Sequence, residues 1–354
     1  MKILFTNDPK WLKKWDDYIV TEDRASHLML SDWNKSFESY GFEFEICLAL
    51  ENDKIIGGFA AVIAKAMVFK FYIVPFGPII SSDYEEKLNE IIESVYNRAK
   101  KRNCCYAQIN LPFSDKDNVH LLTNSLKIPF LEKAAKGHLF KYVYSSSGLN
   151  WVDLKHLDEE KMIMSLKPSV RRNVRNSYRK ELEFKVLDTQ EGIENAYRLF
   201  LENATNANYT IRNWEDIKNT LFGLNEKGLL KILSVFKSNE IKGAILLIKS
   251  GNYYTYILGG SKKETPDLRT GDFLQWEAIK LSINEGLDGY NISLGGSKGV
   301  FEFKNSFNTT HYYIQDGQYH WILKPIYFKF YTIVEKKLKK HKKRIANLLS
   351  VFKK

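Results

Sequence analysis

Seven histidines are spread along the 354-residue chain, at positions 27, 120, 138, 156, 311, 320 and 341. None stands in a spacing that builds a hydrolytic triad or a metal cage. The sequence contains no G-x-S-x-G, H-E-x-x-H or Walker pattern. The three cysteines, Cys47, Cys104 and Cys105, form no C-x-x-C pair. No metal and no tightly bound cofactor are therefore expected. What remains is chemistry by positioning, in which an amine attacks an acyl group already activated as an ester or thioester. Such a site needs a grip on the anionic part of its substrates, a neutral amine, and a donor or cation at the developing oxyanion.

Two segments offer an anionic grip. Arg171-Arg172-x-x-Arg175-x-x-x-Arg179-Lys180 carries its cations at spacings that put them on neighbouring faces of a predicted helix. A tRNA acceptor stem, a CoA phosphate or a lipid diphosphate would each suit it, and so would plain solvation. LRTGDFL at 268–274 places Gly271 at a helix start, where free backbone N–H groups favour phosphate. Helix capping explains that glycine equally.

The formal net charge is +11, unevenly distributed. From Trp321 to Lys354 there are eleven Lys or Arg against one acid, Glu335. Residues 161–180 hold seven basic residues and no acid. Local anion-facing surfaces fit this pattern better than a uniform nucleic-acid coat. The odd cysteine count argues against a disulfide framework and for a reducing cytoplasm. MKILFTNDPKWLKKW does not read as a secretory signal, and no stretch approaches the roughly 20 apolar residues of a membrane span.

The elements that must position these residues repeat along the chain. ENDKIIGGFAAVIAK (51–65) and KSNEIKGAILLIKS (237–250) each open with a polar turn, then Ile, one residue, Gly and an apolar run. Each reads as the second strand of a hairpin, with FEICLAL (44–50) and LLKILSVF (229–236) as first strands. An aromatic strand follows each, near 69–74 and at 252–258. Then comes a helix: Leu88, Ile91, Ile92, Val95 and Ala99 recur at helical spacing in the first, Phe273, Trp276, Ile279 and Ile283 in the second. A last strand closes each unit, CYAQINL (105–111) and GYNISL (289–294), and two helical stretches precede each hairpin. A mixed α/β (α+β) fold with a tandem duplication follows.

The boundary falls at the polar linker Ser145-Ser146-Ser147-Gly148, which gives a first domain over 1–148 and a second over 149–325. From 326 to 354 a basic amphipathic helix is expected. Phe330, Val334, Leu338, Ile345, Leu349 and Phe352 form its stripe, and seven Lys or Arg lie between Lys336 and Arg344 on other faces. Attachment to the inner face of an anionic membrane is the role such a helix suggests, with its early turns packing on the first domain.

The order helix, helix, three strands, helix, strand is that of the acetyltransferase-type (GNAT, acyl-CoA N-acyltransferase-like) fold. Along nearly its whole length the chain also resembles the FemA/FemB/FemX family, non-ribosomal peptidyl transferases that build peptidoglycan cross-bridges. The resemblance rests on SDWNKSF, VPFGPII, LKPSVRRNVRNSYRK, YTIRNWEDI, YILGGSKK, FLQWEAI and FEFKNSF, in that order. It implies that Trp33 and Lys35, with Tyr209 and Arg212, hold a nucleotide-linked muropeptide diphosphate. It also implies that the Phe303-Lys304 pair holds the transferred acyl end, Lys304 balancing the oxyanion. Arg171, Arg172, Arg175 and Gly271 become candidates for the donor or its phosphates.

The sequence departs from that family's pattern in two places. QINLPF carries Asn110 where an acid often precedes the proline, which removes a candidate base. No long coiled-coil arm is present, so the chain resembles the armless FemX-like branch and acyltransferase relatives associated with exopolysaccharides. The expected activity is transfer of an aminoacyl group from aminoacyl-tRNA to an amine of a cell-envelope peptidoglycan precursor. The alternatives are a CoA- or carrier-dependent N-acyltransferase of an amino sugar, and an inactive membrane-surface scaffold.

Overall fold

The computed structural model describes the chain apart from Arg24, Ser147 and residues 113–130, 134–137, 314–317 and 340–354. Its organisation starts from two hairpins of the same construction. β2 (Glu43–Glu51) and β3 (Lys54–Ala66) are joined by Asn52-Asp53, both at positive φ. β10 (Leu230–Lys237) and β11 (Glu240–Ser250) are joined by Ser238-Asn239, again both positive. Two-residue turns of that hand match the strand twist. Each hairpin then carries a bulge one step inside the turn. Ala49 pairs with Gly57 and Leu50 with Ile55, skipping Ile56. Val235 pairs with Gly243 and Phe236 with Ile241, skipping Lys242. The Ile-x-Gly of the sequence is therefore a bulge whose middle residue is the unpaired one. Its glycine is needed for space: a Cβ on Gly57 would lie 2.6 Å from the Ile79 carbonyl oxygen.

The first sheet runs β1 (Lys2–Thr6), β2, β3, β4 (Phe69–Ile73), β6 (Tyr106–Asn110), β15 (Gln318–Ile322) and β7 (Glu132–Lys133), with β5 (Ile79–Ile80) on β3. The second runs β14 (Thr310–Tyr313), β8 (Gly148–Asp153), β13 (Gly289–Asn291), β12 (Tyr253–Ser261), β11, β10 and β9 (Glu183–Leu187). Each sheet carries the helix that the apolar spacing implies. α3 (Leu88–Lys101) buries Leu88, Ile91, Ile92, Val95 and Ala99. α8 (Thr270–Asn284) buries Phe273, Trp276 and Ile279. The tandem duplication is thus present.

Helices of both halves share one core. Trp15 and Ile19 of α1 (Pro9–Ile19) and Leu28 to Leu30 beside α2 (Ser31–Lys35) lie in the same cluster as Ile193, Tyr197 and Phe200 of α6 (Gln190–Asn206). Ile217, Leu221 and Leu224 of α7 (Trp214–Glu226) complete it. Lys227 clasps this junction through Asp16 and Asp32, each at 2.7 Å.

The chain's end returns to the first half. β15 pairs antiparallel with β6, Trp321 opposite Ala107. The second sheet therefore takes its strands from Gly148 to Tyr313, and the segment just before 325 belongs to the first sheet. α10 (Pro325–Lys339) follows. Phe328 and Tyr331 sink into the first half, where Phe328 stacks on Tyr106 at 4.9 Å and Tyr331 meets Phe71 at 4.7 Å. The residues that pack are thus not the expected stripe, since Phe330 stays exposed. Ile345, Leu349, Phe352 and most of the lysine-rich run lie outside the described residues.

Candidate active site

β12 and β13 are parallel, but only Tyr253–Thr255 pairs with Gly289–Asn291. Beyond that point β12 continues to Ser261, still paired with β11 on its other side. The chain after Asn291 turns away through Ser293, whose φ is 62°. A V-shaped opening results between the two strands.

Lys304 reaches into that opening from α9 (Lys298–Asn305). The end of the helix is fixed by a hydrogen bond from Asn150 Nδ2 to Asn305 Oδ1 at 3.1 Å, and the Asn150 and Ser293 backbone N–H groups both donate to Asn291 Oδ1 at 3.1 Å. Lys304 Nζ donates to Ser293 Oγ at 2.8 Å and to the Gly295 carbonyl at 2.6 Å. It lies 5.1 Å from the centre of the Tyr256 ring. The side chain is only 4% exposed. Among the described residues no carboxylate pairs with it. Burial without a counter-ion lowers its pKa from 10.5 to about 8. This is a cation held by neutral groups, the arrangement that leaves its charge available to an oxyanion.

Phe303, beside it, packs against the start of α8. A Cβ on Gly271 would lie 3.4 Å from the Phe303 ring, so the glycine's bare Cα faces an aromatic. The first turn of α8 also holds Asp272, buried and accepting from Asn173 Nδ2 at 3.3 Å. Burial raises its carboxyl pKa. An acid in this turn suits the helix dipole and opposes a bound diphosphate.

The second pole is built by Arg212. Its Nη1 donates to Ser36 Oγ at 2.5 Å, its Nη2 to the Ser36 carbonyl at 2.7 Å, and its Nε to the Tyr40 hydroxyl at 3.3 Å. The guanidinium also lies 4.9 Å from the ring centres of Phe37 and Tyr40. The arginine thus joins the second half to the segment that follows Lys35. Lys35 is exposed, and among the described residues it has no carboxylate partner. Trp33 is half-buried, edge-on to His27 at 4.9 Å.

Tyr209 is linked through Asn203 to the Lys304 side. Asn203 Nδ2 donates to the Tyr209 hydroxyl at 3.1 Å and to the Gly259 carbonyl at 3.4 Å, and Gly259 lies directly under the Tyr256 hydroxyl. The structure therefore brings Lys304, Phe303 and Gly271 together, and joins Arg212 to the Lys35 segment. The basic helix packs beside the Gly271 turn, through Asn173 on Asp272, but its arginines enter neither pole. On α5 (Pro168–Tyr178), Val170 and Val174 face inward against α8. Arg171 donates to the Met164 carbonyl at 2.8 Å, while Arg172 and Arg175 point to solvent. Tyr256, Ser293, Asn203 and Ser36 were not singled out from sequence. An aromatic inside a strand reads as core, and a serine carries no signal of its own.

Residues 165–305 match the model of the acetyltransferase (GNAT) domain. No curated protein matches the sequence. Among solved structures the chain is similar to FemX, at a TM-score of 0.77 and 15% identity over 93% of this chain and 99% of that one. A conserved protein of unknown function from Bacteroides thetaiotaomicron follows at 0.59 and 11%, covering 90% and 99%. A structure described as the C-terminal domain of a lysylphosphatidylglycerol synthetase from Agrobacterium fabrum gives 0.54 and 12%, covering 88% and 91%. At these identities the likeness is one of fold.

Proposed function

We propose that this acyltransferase fold works as an aminoacyltransferase, moving an aminoacyl group from an aminoacyl-tRNA ester to an amine of a peptidoglycan precursor. The observation that carries the reading is Lys304, a nearly buried ammonium at the mouth of the β12–β13 opening with no carboxylate partner among the described residues. The acceptor amine attacks the ester carbonyl. The new C–N bond forms as the carbonyl oxygen takes negative charge beside Lys304. The C–O bond to the carrier then breaks, and the amine's proton passes to the leaving oxygen or to water. Arg212 and Lys35, at the other pole, suit the acceptor's diphosphate by charge.

Asp272 speaks to the donor. A CoA pyrophosphate seated at the α8 N-terminus would meet that carboxylate, and Phe303 already covers Gly271. An acyl carrier that places no diphosphate there is favoured. The solvent-facing Arg172 and Arg175 suit such a carrier's phosphates.

The test incubates purified protein with a uridine-diphosphate-linked muropeptide and either total aminoacyl-tRNA or acetyl-CoA, with products read by mass spectrometry. The expected product gains one amino-acid residue and does not form when the aminoacyl-tRNA is digested with ribonuclease beforehand. An acetylated product made only from the thioester would move the donor assignment to CoA. No product from either donor would remove the aminoacyltransferase reading.

A further inference from the structure

α10 carries apolar side chains on two opposite faces. One face is used: Phe328 and Tyr331 are buried against Tyr106 and Phe71. Ile326, Phe330 and Ile333 recur at i, i+4 and i+7, which places them on the side away from the packed pair. Ile326 is 84% exposed and Phe330 58%. Folding against the sheet thus leaves a full apolar stripe in water.

A second chain segment adds to it. The tip of the β3–β4 hairpin is Met67-Val68, 73% and 71% exposed, with Met67 at a φ of 56°. Phe69 follows directly, and its ring lies 5.9 Å from Phe330. Hairpin tips are normally polar, so two large apolar residues beside an unpartnered helix face make one extended patch.

The exposed charges on the outer side of α10 are lysines. Lys329 and Lys336 are exposed on α10, and Lys65 is exposed at the hairpin. The sequence goes on with further lysines and an arginine up to Arg344. The acid on α10, Glu335, lies by Tyr142 and Tyr331 on the packed side. Two copies meeting through this face would bring two lysine-rich rims together. An anionic bilayer complements both the apolar stripe and its rim. Among the described residues no helix is long and apolar enough to cross a membrane, so contact in the interfacial plane is the mode that fits.

We propose that the outer face of α10 and the Met67-Val68 hairpin tip together form a docking surface for an anionic lipid bilayer, with Ile326, Phe330, Ile333, Met67 and Val68 entering the headgroup region. This goes beyond the acyl-transfer reading and does not depend on it.

The test is co-sedimentation of the full chain with vesicles of phosphatidylcholine alone or mixed with phosphatidylglycerol. Three proteins are compared: wild type, Met67→Ser/Val68→Ser, and Ile326→Ser/Phe330→Ser/Ile333→Ser. Every substituted residue is at least 45% exposed, and thermal melts check that the folds match. Wild type should bind the anionic vesicles only. Each variant should lose at least about tenfold in partition, because two or three large apolar side chains then no longer leave water. The lysines are untouched, so wild-type binding by both variants would mean charge alone acts and would overturn the proposal. Absence of wild-type binding would overturn it too. A wild-type dimer in sedimentation velocity that both variants break, without vesicle binding, would assign the surface to a second copy instead.

Discussion

Replacing Lys304 by methionine should make the protein at least as stable and nearly inactive. The side chain loses its charge and becomes one atom shorter. In the folded protein the ammonium's pKa falls from 10.5 to about 8, which corresponds to roughly 3 kcal/mol of unfavourable burial. That penalty disappears in the variant. Against it stand the lost hydrogen bonds to Ser293 Oγ and the Gly295 carbonyl. Gly295 is exposed and Ser293 half-buried, so water can replace the ammonium and each loss is about 1 kcal/mol. The net expectation at neutral pH is a stability gain of about 1 kcal/mol. Turnover should fall about 100- to 1000-fold, the usual result of removing one oxyanion stabiliser.

The pH dependence sharpens the test. Between about 8 and 10.5 the unfolded chain holds more protons at this position than the folded one, so wild-type stability gains from this residue as pH rises. The variant lacks that gain, and its advantage over wild type should shrink across the same window. Wild-type catalysis needs the charged form and should decline as pH rises through about 8. Denaturant unfolding at several pH values and single-turnover rates measure both. A methionine variant several kcal/mol less stable than wild type, or one with an unchanged chemical step, would refute the reasoning.

Lys35→Ala should raise KM for a diphosphate-bearing acceptor without altering the melting temperature, since Lys35 is exposed; an unchanged KM removes it from the site. Arg212→Ala should raise KM and also lower stability by about 1–3 kcal/mol, because the guanidinium bonds Ser36 and Tyr40 across the halves. His27 is buried neutral, its pKa lowered by burial from 6.5 to about 3, so stability should fall as pH drops below about 6.5, by roughly 1.4 kcal/mol per pH unit. His27→Leu should flatten that acid slope, and parallel wild-type and variant curves would contradict the burial argument. Asn110→Asp should cost about 3 kcal/mol or more, because its buried amide donates to the carbonyls of Pro75 and Ser146, at 3.0 and 3.1 Å, where a carboxylate cannot. A faster enzyme with unchanged stability would instead show that position 110 hosts a base.

The hairpins and helix faces were legible because their causes are local. Asn52-Asp53 and Ser238-Asn239 set two-residue turns, and Ile-x-Gly sets the bulge beside each. β15 was not legible, because Gln318–Ile322 pairs with a strand more than two hundred residues earlier and carries no local sign of it. On α10, periodicity finds apolar faces but cannot choose between two of them. Phe330 belongs to the more regular stripe, yet Phe328 and Tyr331 fit the aromatic surface of Phe71, Tyr106 and Phe140. The candidate site shows the same limit. Lys304 and Arg212 stood out by charge type and resemblance, whereas Tyr256 and Ser293 acquire their place only when two strands part.

That parting separates the two halves of the duplication. Tyr106 and Gly289 open equivalent parallel pairings, with Phe71 and Tyr253. Counting forward by register, Val74 corresponds to Tyr256 and Asn110 to Ser293. In the first half the seam stays shut: Val74 N–H donates to the Gln108 carbonyl at 3.0 Å, Gly77 N–H to the Asn110 carbonyl at 2.6 Å, and the Asn110 amide to Pro75. In the second half the same two positions stand apart with the Lys304 ammonium between them. An amide that clasps its own seam leaves no room for an acyl carrier. A serine that accepts from an ammonium holds the seam open with a charge in it. The absence of an acid at 110 therefore reflects a closed joint, and among the described residues it is the second half's seam that stands open.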